Sequence, residues 1–186
     1  KSASSAAVVF RGPGFDGGGA VKAGSDDILK DLFNSGVNNA CIGIGQLKSS
    51  KIRKNIYHDL KNIGYNLPNI VSDYALVSEK VSLGEGIVIM NGVILESGCK
   101  IGNGSIVNTN SSLNHDSEIG SFTYIAPGVT ICGNVDIGDE VLIGSGAVII
   151  QGLKIVSKVI VSAGSNVTKS LIEPGLYGKN PLIKIK

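Results

Sequence analysis

The chain holds two histidines, and only one stands where its type and neighbours could do chemistry. His115 precedes Asp116 in the run Leu113-Asn114-His115-Asp116-Ser117-Glu118. Imidazole titrates closest to neutral pH, and an adjacent carboxylate fixes its tautomer and raises its basicity. Such a pair is suited to take a proton from an attacking amine or hydroxyl, which makes His115 the candidate general base and Asp116 its support. His58, between Tyr57 and Asp59 in a helical pattern, reads as an ordinary exposed helix residue. Cys41, Cys99 and Cys132 lie far apart with no CxxC or other ligand spacing, so packed, reduced thiols and no metal are expected.

What must position His115 is a repeat. A ruler of six residues laid from Val71 falls on Val71, Val77, Leu83, Ile89, Leu95, Ile101, Val107 and so on to Val167, seventeen positions in all. Every one is Ile, Leu or Val, types that make up 56 of 186 residues. Chance would give such a run on the order of once in 10^9, and a hexad period is a signature of parallel solenoids. The geometry that fits is a triangular prism, one short strand and one corner per hexad, with three hexads making a coil of 18 residues. Each side stacks about 4.8 Å from the same side of the next coil.

Position one points inward. Position two lies near the corner and is often glycine (Gly84, Gly102, Gly120, Gly138, Gly144), where a positive φ or a close approach is needed. Position five is small or β-branched, from Ala75 and Val81 through Ser105, Ser111, Ser117 and Thr123 to Ala147, as a narrow corner requires. His115, at position three, points out of the wall. Eighteen residues on lies Gly133, so the imidazole faces bare backbone, leaving room for a flat group and a free amide to polarise a carbonyl.

This pattern resembles the hexapeptide-repeat acyltransferases, and the resemblance implies a left-handed parallel β-helix. Periodicity carries no handedness, and parallel crossovers in general are right-handed. The segments Ile106-Val107-Asn108-Thr109, Asn114-His115-Asp116, Ile119-Gly120-Ser121-Phe122, Ile125-Ala126-Pro127-Gly128 and Cys132-Gly133-Asn134-Val135 are similar to the branch of sialic acid O-acetyltransferases and nucleotide amino-sugar N-acetyltransferases. The resemblance spans about residues 26–184. It implies that His115 is the base and Asp116 its support, that Asn108 lies at the sugar and the Gly133 backbone at the acetyl carbonyl, and that Tyr124, Ser145 and Ala163 contact acetyl-CoA. Tyr124 departs from the pattern, standing where the family commonly has a second histidine. The family's glycine-rich nucleotide loop is not recognisable either, Ser4-Ser5-Ala6-Ala7 being the nearest match.

Residues 1–67 read as a small α/β unit, Rossmann-like but incomplete, placed to hold the acceptor. Ala6 to Phe10 reads as a possible strand, Ser25 to Asn34 as a capped helix, Asn39 to Gly45 as a buried parallel strand and Ser49 to Ile63 as an amphipathic helix ending at Gly64. Gly12-Pro13-Gly14 and Gly17-Gly18-Gly19 read as loop. Residues 68–170 are the β-helix, and 171–186 a tail that caps or crosses its last coil.

Composition narrows the partners. Charged residues are 17% and hydrophobic ones 42%, with mean hydropathy +0.24 and no run long enough for a membrane span. A net charge of +2 is too small for nucleic-acid binding through counterion release. No secretory signal is recognisable, so a cytoplasmic location is expected. From Gln151 onward six lysines face one acid, Glu173, which suits the phosphates of an anionic co-substrate near that end.

The reading is therefore acetyl transfer from acetyl-CoA to the amino group of a nucleotide-linked sugar, by a homotrimer packed through outward aliphatic residues such as Ile87, Ile106 and Leu142. Sugar O-acetylation and a non-catalytic solenoid scaffold are the alternatives. A γ-type carbonic anhydrase needs three histidines per zinc, and an ice-binding solenoid needs threonine ladders that Thr109, Thr123, Thr130 and Thr168 do not form.

Overall fold

The computed structural model describes residues 7–10, 21–22, 28–46 and 49–178. From Ile70 to Val167 short strands alternate with corners, and each pairs in parallel with the strand 18 residues on, as in Ile106 with Tyr124 and Leu113 with Ile131, while Gly175–Tyr177 pairs 16 residues on from Val159–Val161. Three faces result. The first carries seven strands from Ile70–Val71 to Gly175–Tyr177, the second six from Leu76–Val77 to Asn166–Val167, and the third five from Ser82–Leu83 to Lys154–Ile155.

The position-one residues from Ile89 to Val167 are buried and form one continuous apolar column, while Val71, at the open end, is 41% exposed. Position five closes each corner from inside. Its hydroxyls do a second job, each bridging two coils: Ser111 Oγ donates to the Ala126 carbonyl (2.8 Å) and accepts from Val129 N–H (3.2 Å). Ser105, Ser117 and Thr123 repeat this arrangement. Polar atoms are thus buried without loss because each finds both partners.

Glycine is needed at two different hexad positions for two different reasons. At position two it is close approach: a Cβ on Gly102 would lie 2.6 Å from Ser121 N in the next coil, and these glycines have no positive φ. The left-handed residue is position four, where Gly92, Gly104 and Gly128 alternate with Asn110, Asp116, Phe122 and Asn134 at φ 54–58°. That position escaped the sequence reading because it is not uniformly glycine.

The N-terminal unit consists of β1 (Ala7–Phe10), β2 (Val21–Lys22), α1 (Leu29–Asn34), β3 (Asn39–Ile42) and α2 (Lys51–Ile63). Its sheet has the order β2-β1-β3, and β1 runs antiparallel to both neighbours, which corrects the expected parallel strand. The physical reason is that β1 pairs back on β2, a strand the sequence reading missed. The helical crossover through α1 then joins β2 to β3, which point the same way on either side of β1. Residues 25–27, the glycine runs of 11–20, Ser4-Ser5-Ala6 and the lysines beyond Gly178 lie outside the described residues. α2 ends at Gly64, whose φ of 112° allows its N–H to reach back to Leu60 O. At the other end, Leu171 bridges Ile155 and Gly175–Tyr177 continues the first face beside Val159–Val161. Among the described residues no helix is long and apolar enough to cross a membrane.

Candidate active site

His115 occupies the corner after the second face. Its ring Nδ1 lies 3.0 Å from Asp116 Oδ2, and the left-handed backbone of Asp116 (φ 58°) turns that carboxylate back toward the ring. With Asp116 accepting from Nδ1–H, the lone pair is on Nε2. Nε2 faces Gly133, as the repeat arithmetic requires: a Cβ there would stand 2.5 Å from Nε2 and 2.7 Å from Cε1. The column continues through main-chain bonds from Asn134 N–H to His115 O (2.9 Å) and from Gly152 N–H to Gly133 O (3.0 Å). Asp116 in turn packs over Gly98, so both members of the pair rest on bare backbone. His115 and Asp116 are 63% and 69% exposed, and a groove lined by Leu76, Ile94 and Glu96 runs beside the imidazole. Glu96, which the sequence reading passed over, accepts from His115 N–H at 3.3 Å.

The other expected site residues lie elsewhere on the same chain. Asn108, Ser145 and Ala163 occupy the corner after the first face, in the column where Gly164 N–H donates to Ser145 O (2.8 Å). Tyr124 stands on the first face, and its hydroxyl accepts from Asn108 Nδ2 at 2.7 Å. So the residue assigned to the sugar and one assigned to the co-substrate touch each other, while a whole face separates them from His115. Within one chain the two sets are not brought together.

Asn108 and Tyr124 share a groove with Cys41–Gly45 of the N-terminal unit and with Ile70, Val88, Met90 and Ile106. The 42–44 backbone that lines the groove is tied to α2, which docks on the corner after the third face. Arg53 is only 2% exposed and donates to Gly104 O (3.1 Å), Ile42 O (3.4 Å) and Ile44 O. Phe122 meets Tyr57 edge-on with ring centroids 5.1 Å apart. Lys54 and Ser50 both bind Glu140 (2.9 and 2.8 Å), and Tyr57 and Lys61 both bind Glu85. Arg53 could have been noticed in the sequence, since it shares the buried face of α2 with Tyr57 and Leu60 at a spacing of four and three.

These contacts set a pH dependence. The Tyr57 hydroxyl and Lys61 hold the Glu85 carboxyl below the ordinary 4.5, and Lys54 and Ser50 do the same for Glu140. A carboxyl lowered in the folded state adds stability that is complete above its unfolded value and is lost as pH falls through the lowered one. α2 is therefore expected to loosen from the prism below about pH 4.5, while the aliphatic column, which has no such pairs, persists. Tyrosine near-UV circular dichroism should fade before far-UV β-signal does, and E85Q/E140Q should abolish the difference. Coincident transitions would refute this.

The family model "Bacterial transferase hexapeptide (six repeats)" matches residues 116–151. No match was found among curated proteins. Among solved structures, a perosamine N-acetyltransferase variant from Caulobacter crescentus, in complex with CoA and GDP-perosamine, is 28% identical with a TM-score of 0.80, over 84% of this chain and 73% of that one. The acetyltransferase domain of PglB from Neisseria gonorrhoeae FA1090 is 30% identical with a TM-score of 0.70, over 73% and 66%. WeeI from Acinetobacter baumannii AYE is 33% identical with a TM-score of 0.65, over 67% and 61%. Repeat, prism and matches together assign the chain to the hexapeptide-repeat transferases of left-handed β-helix fold, in their sugar acetyltransferase branch.

Proposed function

We propose that the protein transfers the acetyl group of acetyl-CoA to the amino group of a nucleotide-linked sugar, with His115 as general base. The observation that carries this reading is the His115 imidazole, backed by Asp116 at 3.0 Å and laid against the bare backbone of Gly133. Nε2 takes a proton from the attacking amine as its nitrogen bonds to the thioester carbonyl carbon. The carbon–sulfur bond then breaks and the proton passes to the departing sulfur. In this reading the Gly133 backbone lies at the acetyl carbonyl, Asn108 contacts the sugar, and Tyr124, Ser145 and Ala163 line the path of acetyl-CoA; likeness to the C. crescentus structure in complex with CoA and GDP-perosamine supports the two substrate classes. Among the described residues no group of three or more His, Cys, Asp or Glu could hold a metal.

A thiol-release assay tests the reading. With acetyl-CoA, nucleotide-linked amino sugars should release thiol while free sialic acids and amino acids do not. Release with a free sugar hydroxyl and no nucleotide binding would favour O-acetylation, and no release with any acceptor would favour a scaffold.

The split between corners supports a homotrimer in which the His115 corner of one prism faces the Asn108, Ser145 and Ala163 corner of the next. The residues that would pack are not those expected from sequence. Ile87 is an inward position-five residue at 0% exposure, Ile106 is buried against the N-terminal unit, and Leu142 is half-buried. Beside His115 the exposed apolar residues include Leu76 (68%) and Ile94 (42%) on the second face, and Val71, Tyr74 and Met90 are exposed toward the same end of the prism. Light scattering should give three times the 19.1 kDa chain mass, and Leu76→Glu with Ile94→Glu should give monomers without activity. An active 19.1 kDa monomer would overturn the shared site.

A further inference from the structure

Two peptide groups frame the His115 imidazole, its own Asn114–His115 peptide and the Cys132–Gly133 peptide one coil on. Inside this corner the position-five residues run Val81, Cys99, Ser117, Val135 and Leu153 from coil to coil. Of these five only Cys99 and Ser117 carry a side-chain donor, and the carbonyls they reach belong to those two peptides. Cys99 Sγ lies 3.2 Å from Asn114 O, and Ser117 Oγ donates to Cys132 O at 2.9 Å. Burial pushes the Cys99 thiol up, so it keeps the proton it donates. Both side chains are fully buried, where no substrate reaches them.

Holding Cys132 O inward fixes where the next N–H points. In a trans peptide the N–H and C=O point in opposite directions. With its carbonyl turned in toward Ser117, the Cys132–Gly133 peptide turns the Gly133 N–H out of the wall, on the side where the imidazole lies. The rest of this stretch is tied down. Cys132 N–H donates to Ile149 O (2.9 Å) and Gly152 N–H to Gly133 O (3.0 Å). Ser117 Oγ accepts from Val135 N–H (3.2 Å), which commits its own proton to Cys132 O. Among the described residues nothing accepts from the Gly133 N–H. A hydrogen bond into a carbonyl polarises the peptide and strengthens the donor on its far side.

We propose that Ser117 is a positioning residue for acetyl transfer, its buried hydroxyl aiming and strengthening the Gly133 N–H as the donor to the thioester oxygen. As the acceptor nitrogen bonds to the carbonyl carbon, negative charge collects on that oxygen, and a donor fixed in advance stabilises it. This rests on the acetyl-transfer reading for the reaction, though not for the anchoring of the peptide.

The test compares Ser117→Val with Ser117→Thr, side chains of nearly the same shape that differ in the hydroxyl. The prism accepts both at position five, where Val135 and Thr123 stand buried. Ser117→Val should lower kcat roughly tenfold, with KM for acetyl-CoA and for the acceptor held within about twofold. Ser117→Thr should restore kcat to near the wild-type value. Ser105→Val removes a bridge of the same kind, from Ser105 Oγ to Gly120 O (2.8 Å), at the corner after the third face, where no proposed site residue stands. It should lose as much stability in a thermal melt as Ser117→Val and keep its kcat. In heteronuclear amide NMR the Gly133 resonance should move upfield in Ser117→Val and stay in place in Ser105→Val.

A kcat loss shared by Ser105→Val, or one that Ser117→Thr does not restore, would make the role structural and overturn the proposal. An unmoved Gly133 resonance would overturn it as well. If Ser117→Val does not fold, Ser117→Cys takes its place, since Cys99 fills the same position one coil below; its weaker donor should give a smaller kcat loss and the same direction of shift. Wild-type protein that releases no thiol with any acceptor would remove acetyl transfer alone, and the anchoring of the Gly133 N–H would then stand or fall on the resonance.

Discussion

His115→Ala is expected to lower kcat by roughly 10²-fold or more, the usual scale for losing a positioned general base. The affinity for acetyl-CoA should stay nearly constant, because in the proposed site Tyr124, Ser145 and Ala163 hold the co-substrate and the imidazole acts only on the attacking amine. The fold should be untouched as well: the side chain is 63% exposed, and the Asn134 N–H to His115 O bond that holds the coil belongs to the backbone. A pure kcat effect with constant binding is the mark of an interaction made in the transition state. Near-normal turnover in this variant would remove His115 from the mechanism and leave Asp116 and Gly133 without a role.

The largest stability effect is expected at a residue with no chemistry at all. A Cβ on Gly120 would lie 2.6 Å from Asp139 N and collide with Gly138 C in the next coil. Neither coil can yield, since Gly120 N–H donates to Ile137 O (2.7 Å) and Gly138 N–H to Ile155 O (2.8 Å), and the ladder continues on both sides. Gly120→Ala should therefore cost about 3 kcal/mol or more, as overpacking against rigid backbone does. Gly128→Ala makes the comparison: its φ of 68° carries strain of about 1–2 kcal/mol, yet its Cβ would meet nothing within 4 Å. Urea denaturation of the two variants should rank Gly120→Ala well below Gly128→Ala. Equal stability would mean that coil spacing is not what these glycines protect.

The prism was legible because a solenoid turns sequence distance into spatial distance. A residue always meets its counterpart 18 positions away, so the inward column, the place of Gly133 over His115 and the small position-five residues could all be read by counting. Position four was less visible, since Asn110, Asp116, Phe122 and Asn134 share a left-handed backbone without sharing a residue type. The outward aliphatics were misread at Ile87, where counting from the nearest position-one residue places it inside, and at Ile106, whose cover comes from the N-terminal unit.

By itself the sequence determined the coil, the core and the stacking of His115 over Gly133, all of which follow from one local period. Only the tertiary structure decided the direction of β1, the groove between loop 43–45 and the first face, and the separation of His115 from Asn108, Ser145 and Ala163. Those features depend on contacts with no fixed spacing. Arg53 reaches Gly104 across 51 positions and Lys54 reaches Glu140 across 86. Such a pairing is chosen by the shape and charge of two finished surfaces, and no period along the chain encodes it.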